Sequence, residues 1–338
     1  MTTREEQRLV FGIYPGGAAG GDTGLLAGPP DDPKQVHACP DQLQGICRPF
    51  VVRCYDSFQD PGSPLECNAC APLNYAQYAI PGKRPIDLVL QFRSASGNVS
   101  GYLDFVRARV NEHHQNLYSI QITEEANFAN GPNVIDGPYP NVPRALVEGV
   151  AVAKETLRTF GAGNVEVGFN ATPTFGPAAE FWSSLKALAS EEFYDGLDYV
   201  GLDFFPDVFR PVARDGEPGD LPSSVLGVLE TMRHVWMPAA GIANHVAIHI
   251  TEHGWPTGIG RPEERQTEIL RSVIRTVHSL SKRLNIQRYM LFDLRDVDDA
   301  DVEREDSKFR HFGITRADYS RKLGFATFQE LIEELGMR

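Results

Sequence analysis

Carboxylates follow two β-like segments that lie far apart along the chain. Glu252 comes after the apolar run 246–248, and a Gly-Trp-Pro turn follows it almost at once. Glu124 and Glu125 follow a second such segment, at 117–122. Two carboxyl groups on opposite sides of one pocket are suited to proton donation by one and nucleophilic or basic action by the other. That chemistry requires a fold that brings the two stretches together.

β-like and α-like segments alternate along the chain, which predicts a parallel sheet with crossover helices. The segments that read as strands are 9–14, 50–55, 86–92, 117–122, 165–169, 199–204, 246–251 and 288–292. The segments between and after them read as helices at about 33–44, 73–78, 102–110, 146–160, 178–193, 222–236, 262–284 and 325–335, and 15–30 reads as a Gly- and Pro-rich loop. Eight strands and eight helices in alternation predict an α/β fold, a single (β/α)8 TIM barrel. We expect one domain over residues 1–338, with a flexible N-terminus at 1–7.

Apolar stripes at helical spacing indicate which side chains the helices bury. The helix at 178–193 is predicted to bury Phe181, Trp182, Leu185 and Leu188. Trp236 belongs to a similar stripe in the helix at 222–236. Both tryptophans are therefore predicted to be core residues.

In such a barrel, the residues just past each strand converge on one end. Reading these positions along the chain yields Tyr14, Arg53, Asp56, Arg93, Glu124, Glu125, Asn127, Asn170, Phe204, Phe205, Glu252, Trp255, Asp293, Arg295 and Asp296. Carboxylates, amides and aromatic rings dominate this set, and no Gly-rich phosphate cradle follows the last two strands. The set favours a neutral, hydroxyl-rich ligand, and paired carboxylates are the minimum equipment for glycoside hydrolysis. We predict as substrate-binding residues Tyr14, Arg53, Glu124, Asn127, Asn170, Phe205, Trp255, Asp293 and Arg295.

Two motifs resemble those of a known enzyme group. Ile-Thr-Glu-Glu-Ala-Asn at 122–127 resembles the strand-four motif of clan A glycoside hydrolases, usually Asn-Glu-Pro-Asn. Thr-Glu-His-Gly-Trp-Pro at 251–256 is similar to the strand-seven nucleophile motif, closest to the Glu-x-Gly-Trp-Pro of β-1,3-glucanase-type members. The resemblance implies a retaining hydrolase of a β-linked glycoside or oligosaccharide that needs no cofactor. Glu125 would be the general acid/base, Glu252 the nucleophile, and Arg53 the arginine that keeps the nucleophile ionised.

The chain departs from that pattern at three positions. Glu124 replaces the usual Asn that binds the sugar 2-hydroxyl, Phe205 lies where relatives often have Tyr, and Phe292 lies where Trp is common. A charge on Glu124 would raise the proton affinity of Glu125, which suits an acid, and it also fits a substrate with an amino group. The departures leave open a non-catalytic, carbohydrate-binding barrel derived from a glycosidase.

A metal-dependent barrel enzyme is the second alternative, because His249, Glu252 and His253 lie close in sequence. Side chains alternate along a strand, so His249 and Glu252 are predicted to point to opposite faces. No other histidine falls at a predicted strand end. We therefore predict no metal site.

The five cysteines are Cys39, Cys47, Cys54, Cys67 and Cys70. An odd count without a secretory leader argues against a disulfide framework. Cys67 and Cys70 form a lone C-x-x-C, which with Cys39 and Cys47 would have the ligand types of a four-thiolate zinc site. We interpret them instead as free thiols in a loop.

The charge and hydropathy of the chain limit its partners. The formal net charge is −13 and no Lys/Arg cluster is present, which disfavours nucleic acid and anionic membranes. No apolar stretch reaches the roughly 18–20 residues that span a bilayer. The polar N-terminus favours a cytoplasmic location. The sequence predicts a carbohydrate partner and leaves the oligomeric state open.

Overall fold

The computed structural model describes residues 8–21, 24–61, 78–80, 83–130, 135–174, 180–209, 220–298 and 307–338. Eight parallel strands close into a barrel in chain order, and the last of them pairs back to the first. These strands are β1 (Val10–Ile13), β4 (Phe50–Gln59), β5 (Ile86–Arg93), β6 (Leu117–Ile122), β7 (Glu166–Ala171), β8 (Tyr199–Asp203), β9 (Ala247–His253) and β10 (Ile286–Leu291). The predicted (β/α)8 barrel is confirmed.

Helices lie between most of the strands in the part of the chain that the structure describes. They are α1 (Pro33–Gln44), α2 (Val99–His113), α3 (Val142–Thr159), α4 (Glu180–Leu188), α5 (Glu191–Gly196), α6 (Leu221–Thr231), α7 (Met237–Ala239), α8 (Glu263–Leu284) and α9 (Leu323–Leu335). A π-helical turn, Met232–Trp236, joins α6 to α7, and 3-10 turns lie at His114–Asn116 and Ser307–Arg310. None of the described helices combines the length and apolarity that a bilayer-spanning segment requires.

The predicted flexible N-terminus at 1–7 and the predicted helix at 73–78, apart from residue 78, lie outside the described residues. Several local predictions differ from the structure. The predicted loop 15–30 contains an antiparallel hairpin, β2 (Ala18–Gly21) and β3 (Gly24–Ala27), which the low strand propensity of Ala and Gly concealed. The predicted helix 178–193 is divided, because Ser190 accepts a hydrogen bond from the Phe193 amide and begins a new helix. Leu188, predicted to be buried, is 49% exposed at the end of α4.

The main apolar core lies between the barrel and its helices. Trp182 and Trp236 stack there with ring centroids 6.0 Å apart, which confirms both as core residues. Cys39, Cys47 and Cys54 are buried free thiols, and the Cys67/Cys70 pair lies outside the described residues.

Polar and charged residues occupy much of the barrel interior, although branched apolar residues usually fill it. Inward-facing residues exposed by 1% or less are Arg53, Asp87, Ser119, Gln121, Asn170, Asp203, His249, Thr251 and Arg288. Their charged groups form a network of ion pairs. Arg288 pairs with Glu166 and, at 3.3 Å, with Asp87, and Asp87 lies 2.6 Å from Arg53. Because Glu166 begins β7, this network runs along the barrel axis from the amino-terminal ends of the strands toward their carboxyl-terminal ends.

Candidate active site

Glu252 lies near the end of β9 and points toward the barrel axis. Its Oε1 accepts a hydrogen bond from the Tyr55 hydroxyl and lies 3.7 Å from Nε of Arg53, both on β4. The side chain is 12% exposed, so its carboxylate is largely removed from water. Side chains from β4 and β9, the second and seventh strands of the barrel, therefore meet at this carboxylate.

The prediction that His249 and Glu252 face opposite sides is wrong. The pairing of β9 with β10 is shifted, because the two-residue step from Tyr289 to Leu291 is matched by the three-residue step from Ile250 to His253. Such a bulge interrupts the alternation of side chains. Both residues are consequently directed inward, and the His249 ring stacks on Tyr199 at 4.1 Å.

Arg53 is the cation at the centre of the site. Its guanidinium donates to Asp87 at 2.6 Å, to the Gln121 side-chain oxygen at 2.9 Å and to Glu124 at 3.3 Å. Its Nε donates to the Tyr55 hydroxyl at 2.7 Å. Arg53 is only 1% exposed, and these acceptors compensate the cost of burying its charge.

Glu124 is held firmly after β6. Its carboxylate accepts hydrogen bonds from Gln121 at 2.6 Å and from Asn170 at 3.2 Å, besides the contact to Arg53. Its backbone amide donates to the buried Asp136 at 2.8 Å. Three side chains of the protein therefore donate to the Glu124 carboxylate.

Glu125 has the opposite environment. Its backbone adopts a left-handed conformation, with φ of 44°, and its amide donates to the Asn170 side-chain oxygen at 2.8 Å. No described residue forms a hydrogen bond with its carboxyl group. Burial, followed by the charges of Glu124 and Glu252, raises the pKa of Glu125 well above its usual value. Glu125 therefore retains a proton where an ordinary glutamate would lose it.

Asp203 and Tyr55 are two site residues that the sequence reasoning missed. Asp203 ends β8 and accepts a hydrogen bond from the Thr251 hydroxyl at 2.7 Å and another from Asn170. Burial, and then the charge of Glu252, raises the pKa of Asp203. Tyr55 ends the predicted second strand two residues after Arg53, so alternation alone would have placed both on the inner face.

Several carboxyl groups lie around Arg53. One oxygen each from Glu124, Asp203 and Glu252 lie within 4.8 Å of one another. Burial and the charge of Glu124 raise the pKa of Glu252 to about 8, against the opposing influence of Arg53 and Tyr55. The site is thus rich in negative charge, and its protonation is set by competition among these groups.

The same three carboxylates have ligand types that suit a hard cation. However, each of them already accepts a hydrogen bond from a side chain: Glu124 from Gln121, Asp203 from Thr251 and Glu252 from Tyr55. His253 contacts the Tyr289 hydroxyl, and burial lowers its pKa to about 3. The donor pattern fits a hydrogen-bonded network centred on Arg53 better than a metal site.

Aromatic side chains surround the approach to Glu252. Tyr14 stacks on Phe292 at 5.4 Å and meets Tyr55 edge-on at 5.3 Å. Phe205 meets Phe292 edge-on at 6.1 Å and Phe312 at 5.5 Å. These rings form a continuous apolar wall from Tyr55 outward.

Four other predicted residues form no hydrogen bond with the Glu252 carboxylate, which accepts one from Tyr55. The Asn127 amide is hydrogen-bonded to the backbone of Thr172, at 2.8 and 3.0 Å. Arg295 binds Asp31 at 2.8 Å and the Pro29 carbonyl at 2.7 Å. Asp293 is buried, and burial, ahead of the neighbouring Asp296, raises its pKa. Trp255 is 4% exposed, with the Arg261 guanidinium 5.3 Å from its ring centroid. Substrate binding by these four stays a prediction.

No protein-family model and no curated protein matches this chain. Solved structures do match it. A family 39 glycoside hydrolase from Bacteroides cellulosilyticus WH2 has a TM-score of 0.59 at 15% identity, over 97% of this chain and 64% of that one. A β-glucosidase from Exiguobacterium marinum has a TM-score of 0.57 at 13% identity, over 99% of both chains. A β-glucosidase from Thermotoga maritima in complex with deoxynojirimycin has a TM-score of 0.59 at 11% identity, over 98% of this chain and 100% of that one.

This chain therefore spans under two thirds of the family 39 enzyme and nearly the full length of the two β-glucosidases. At identities of 11–15%, the likeness shows a shared fold. The chain has the barrel that these glycoside hydrolases have.

Proposed function

We propose that the protein is a retaining glycoside hydrolase acting on a β-linked glycoside or oligosaccharide. One observation carries the proposal: the Glu252 carboxylate, contacted by Arg53 and Tyr55, lies close enough to the Glu125 carboxyl for its charge to raise the pKa of that group, which no described residue hydrogen-bonds. A carboxyl group that keeps its proton beside one that is held for attack meets the requirement of the retaining mechanism.

In the first step, Glu125 donates its proton to the glycosidic oxygen while a Glu252 oxygen attacks the anomeric carbon. The C–O bond to the leaving group breaks, and a glycosyl ester forms on Glu252. In the second step, the Glu125 carboxylate takes a proton from water, whose oxygen attacks the same carbon. The ester bond breaks, which restores ionised Glu252 and protonated Glu125.

The negative charge of the pocket bears on the substrate. Glu124 and Glu252 stabilise the positive charge that develops at the anomeric carbon, and they disfavour substrates that carry a carboxylate. The aromatic wall of Tyr14, Phe205 and Phe292 offers apolar faces to sugar C–H groups or to an aglycone. The Glu-x-Gly-Trp-Pro pattern at 252–256 supports a strand-seven motif of the β-1,3-glucanase type. A neutral or amino-bearing β-glycoside fits these features.

The test is hydrolysis of a panel of aryl β-glycosides and β-glucan oligosaccharides. We expect Glu252→Gln to lower kcat at least about a hundredfold on every substrate that the wild type hydrolyses, because the attacking oxygen is lost. Glu125→Gln should impair substrates with poor leaving groups far more than dinitrophenyl glycosides, which need little protonation. The exposed Glu155→Gln on α3 is the matched control and should leave kcat unchanged.

A 2-deoxy-2-fluoro glycoside should trap the ester, and mass spectrometry of peptides should locate it on Glu252. A label on another carboxylate would overturn the assignment. Oligosaccharide binding without turnover in the wild type would instead identify a non-catalytic carbohydrate-binding barrel. Loss of turnover with a chelator and its return with a divalent metal would favour a metal-dependent enzyme.

A further inference from the structure

A cavity of about 440 Å³ lies at the end of the barrel opposite Glu252. Its walls include Tyr118, Glu166 and Arg288, each within the first three residues of β6, β7 or β10. His249 on β9 also lines it, and Arg8 and Arg338 lie at its rim. The volume falls within the range of about 300–1,000 Å³ of small-molecule sites.

Positive charge is concentrated at this cavity, although the chain as a whole carries −13. Arg288 is balanced by its ion pairs with Glu166 and Asp87. Arg8 donates to the Gly336 carbonyl at 2.9 Å and Arg338 to the Glu333 carbonyl at 3.0 Å, and neither forms an ion pair with a described residue. Carbonyl groups do not neutralise a guanidinium, so no described side chain balances the charge of Arg8 or of Arg338.

Two buried nitrogen atoms on the cavity-lining residues lack a partner. Nδ1 of His249 and Nε of Arg288 form no hydrogen bond with the described residues, and both side chains are only 1% exposed. Burying a polar nitrogen without a hydrogen-bond partner is costly, so such atoms are rare without a ligand or water. Burial and the adjacent Arg288 keep the pKa of His249 low, so its neutral ring has one N–H to donate.

We propose that this cavity is a binding site for a small oxyanion, carrying a carboxylate or phosphate group. The oxyanion accepts hydrogen bonds from Arg288 Nε and from the His249 ring, and its charge balances Arg8 and Arg338. Arginine is the side chain best suited to bind such groups, because its planar donors match their oxygens. The site lies apart from the Glu252 pocket and does not depend on the function proposed for it.

Calorimetric titration of the full chain with inorganic phosphate and with malonate tests the proposal, at constant ionic strength set with sodium chloride. We expect saturable binding that Arg8→Gln/Arg338→Gln weakens about tenfold or more. The pair Arg107→Gln/Arg144→Gln, two exposed arginines on α2 and α3, is the matched control and should bind as the wild type does. Tighter phosphate binding would point to a phosphorylated ligand, and tighter malonate binding to an organic acid.

NMR spectra of protein with 15N-labelled histidine locate the site independently of affinity. The saturating anion should shift the ring nitrogen signals of His249, which are identified by their absence in His249→Gln. Binding no tighter than that of chloride, equal affinity in the Arg8/Arg338 double variant, or unmoved His249 signals at saturation would each overturn the proposal.

Discussion

Opposing influences act on the Glu252 carboxyl group, and three of them come from side chains that can be replaced singly. Burial and the charge of Glu124 raise its pKa, whereas Arg53 and the Tyr55 hydroxyl lower it. If Glu252 is the nucleophile, its ionisation sets the acidic limb of the pH dependence of kcat/KM. In the same mechanism, loss of the proton from Glu125 sets the alkaline limb of kcat/KM.

The first prediction concerns Glu124→Gln. Removing this charge stabilises the ionised forms of Glu252 and Glu125, so the pKa of each falls and both limbs of kcat/KM move to lower pH. We expect the acidic limb, near pH 8 in the wild type, to move by about one pH unit. A pH–rate profile with an activated aryl glycoside measures the shift, and movement of the acidic limb to higher pH would contradict it.

The second prediction is an opposite shift in Tyr55→Phe. The lost hydroxyl no longer donates to ionised Glu252, so the pKa of Glu252 rises and the acidic limb moves to higher pH. Tyr194→Phe is the matched control, because that hydroxyl donates only to the Ala240 carbonyl near α7. A Tyr55→Phe profile that coincides with the Tyr194→Phe profile would show that the hydroxyl does not support the charge of Glu252.

At the scale of the elements, glycines let strands carry large inward-facing side chains. Gly168 on β7 lies against Tyr199 on the adjacent β8, and a methyl group there would lie 2.7 Å from the Tyr199 ring and closer still to its carbonyl oxygen. Tyr199 in turn supports the stacked ring of His249. The absence of a side chain at Gly168 therefore makes room for the polar interior.

The third prediction is that Gly168→Ala destabilises the protein by about 1–3 kcal/mol, because the backbone oxygen of Tyr199 cannot move without breaking strand pairing. Gly227→Ala in α6 is the matched control, since nothing lies within 4 Å of the added methyl. That change should be neutral or stabilising by up to about 1 kcal/mol. Urea unfolding measures both, and equal effects would contradict the packing argument.

At the scale of the whole molecule, closure of the barrel joins the two ends of the described chain. β1 pairs with both β4 and β10, and Leu9 exchanges backbone hydrogen bonds with Leu335 at 3.1 Å and Met337 at 3.0 Å. The buried apolar cluster between barrel and helices includes residues from Leu9 to Leu335. The two ends of the described chain therefore contribute to the same core.

The fourth prediction is that residues 1–338 unfold as one unit. Far-UV circular dichroism and tryptophan fluorescence should report the same single transition in urea, because both depend on the closed barrel. The three tryptophans lie in α4, in the π-helical turn and after β9, so fluorescence samples separate parts of the fold. Two resolved transitions, or a stable proteolytic fragment, would indicate more than one domain.

Much of the fold was predictable because it depends on local patterns. Alternating apolar segments and their spacing identified eight strands and the single closed sheet, and strand ends identified Arg53, Glu124, Glu125, Asn170 and Glu252 as neighbours. The hairpin Ala18–Ala27 was not predicted, because alanine and glycine have low strand propensity. The register shift in β9 was not predicted, because a bulge is a property of the pairing between two strands.

The sequence by itself determined the barrel and the end of it at which the acidic residues meet, since parallel strands bring their carboxyl ends to the same side. Only the tertiary structure decided which partners each carboxylate has. Tyr55 donates to Glu252 across 197 residues of chain, and Asn170 joins Glu125, Glu124 and Asp203 in one network. Such contacts depend on strand register and on closure of the sheet, which local periodicity does not encode. Those same contacts distinguish Glu124, to which three side chains donate, from Glu125, which retains its proton.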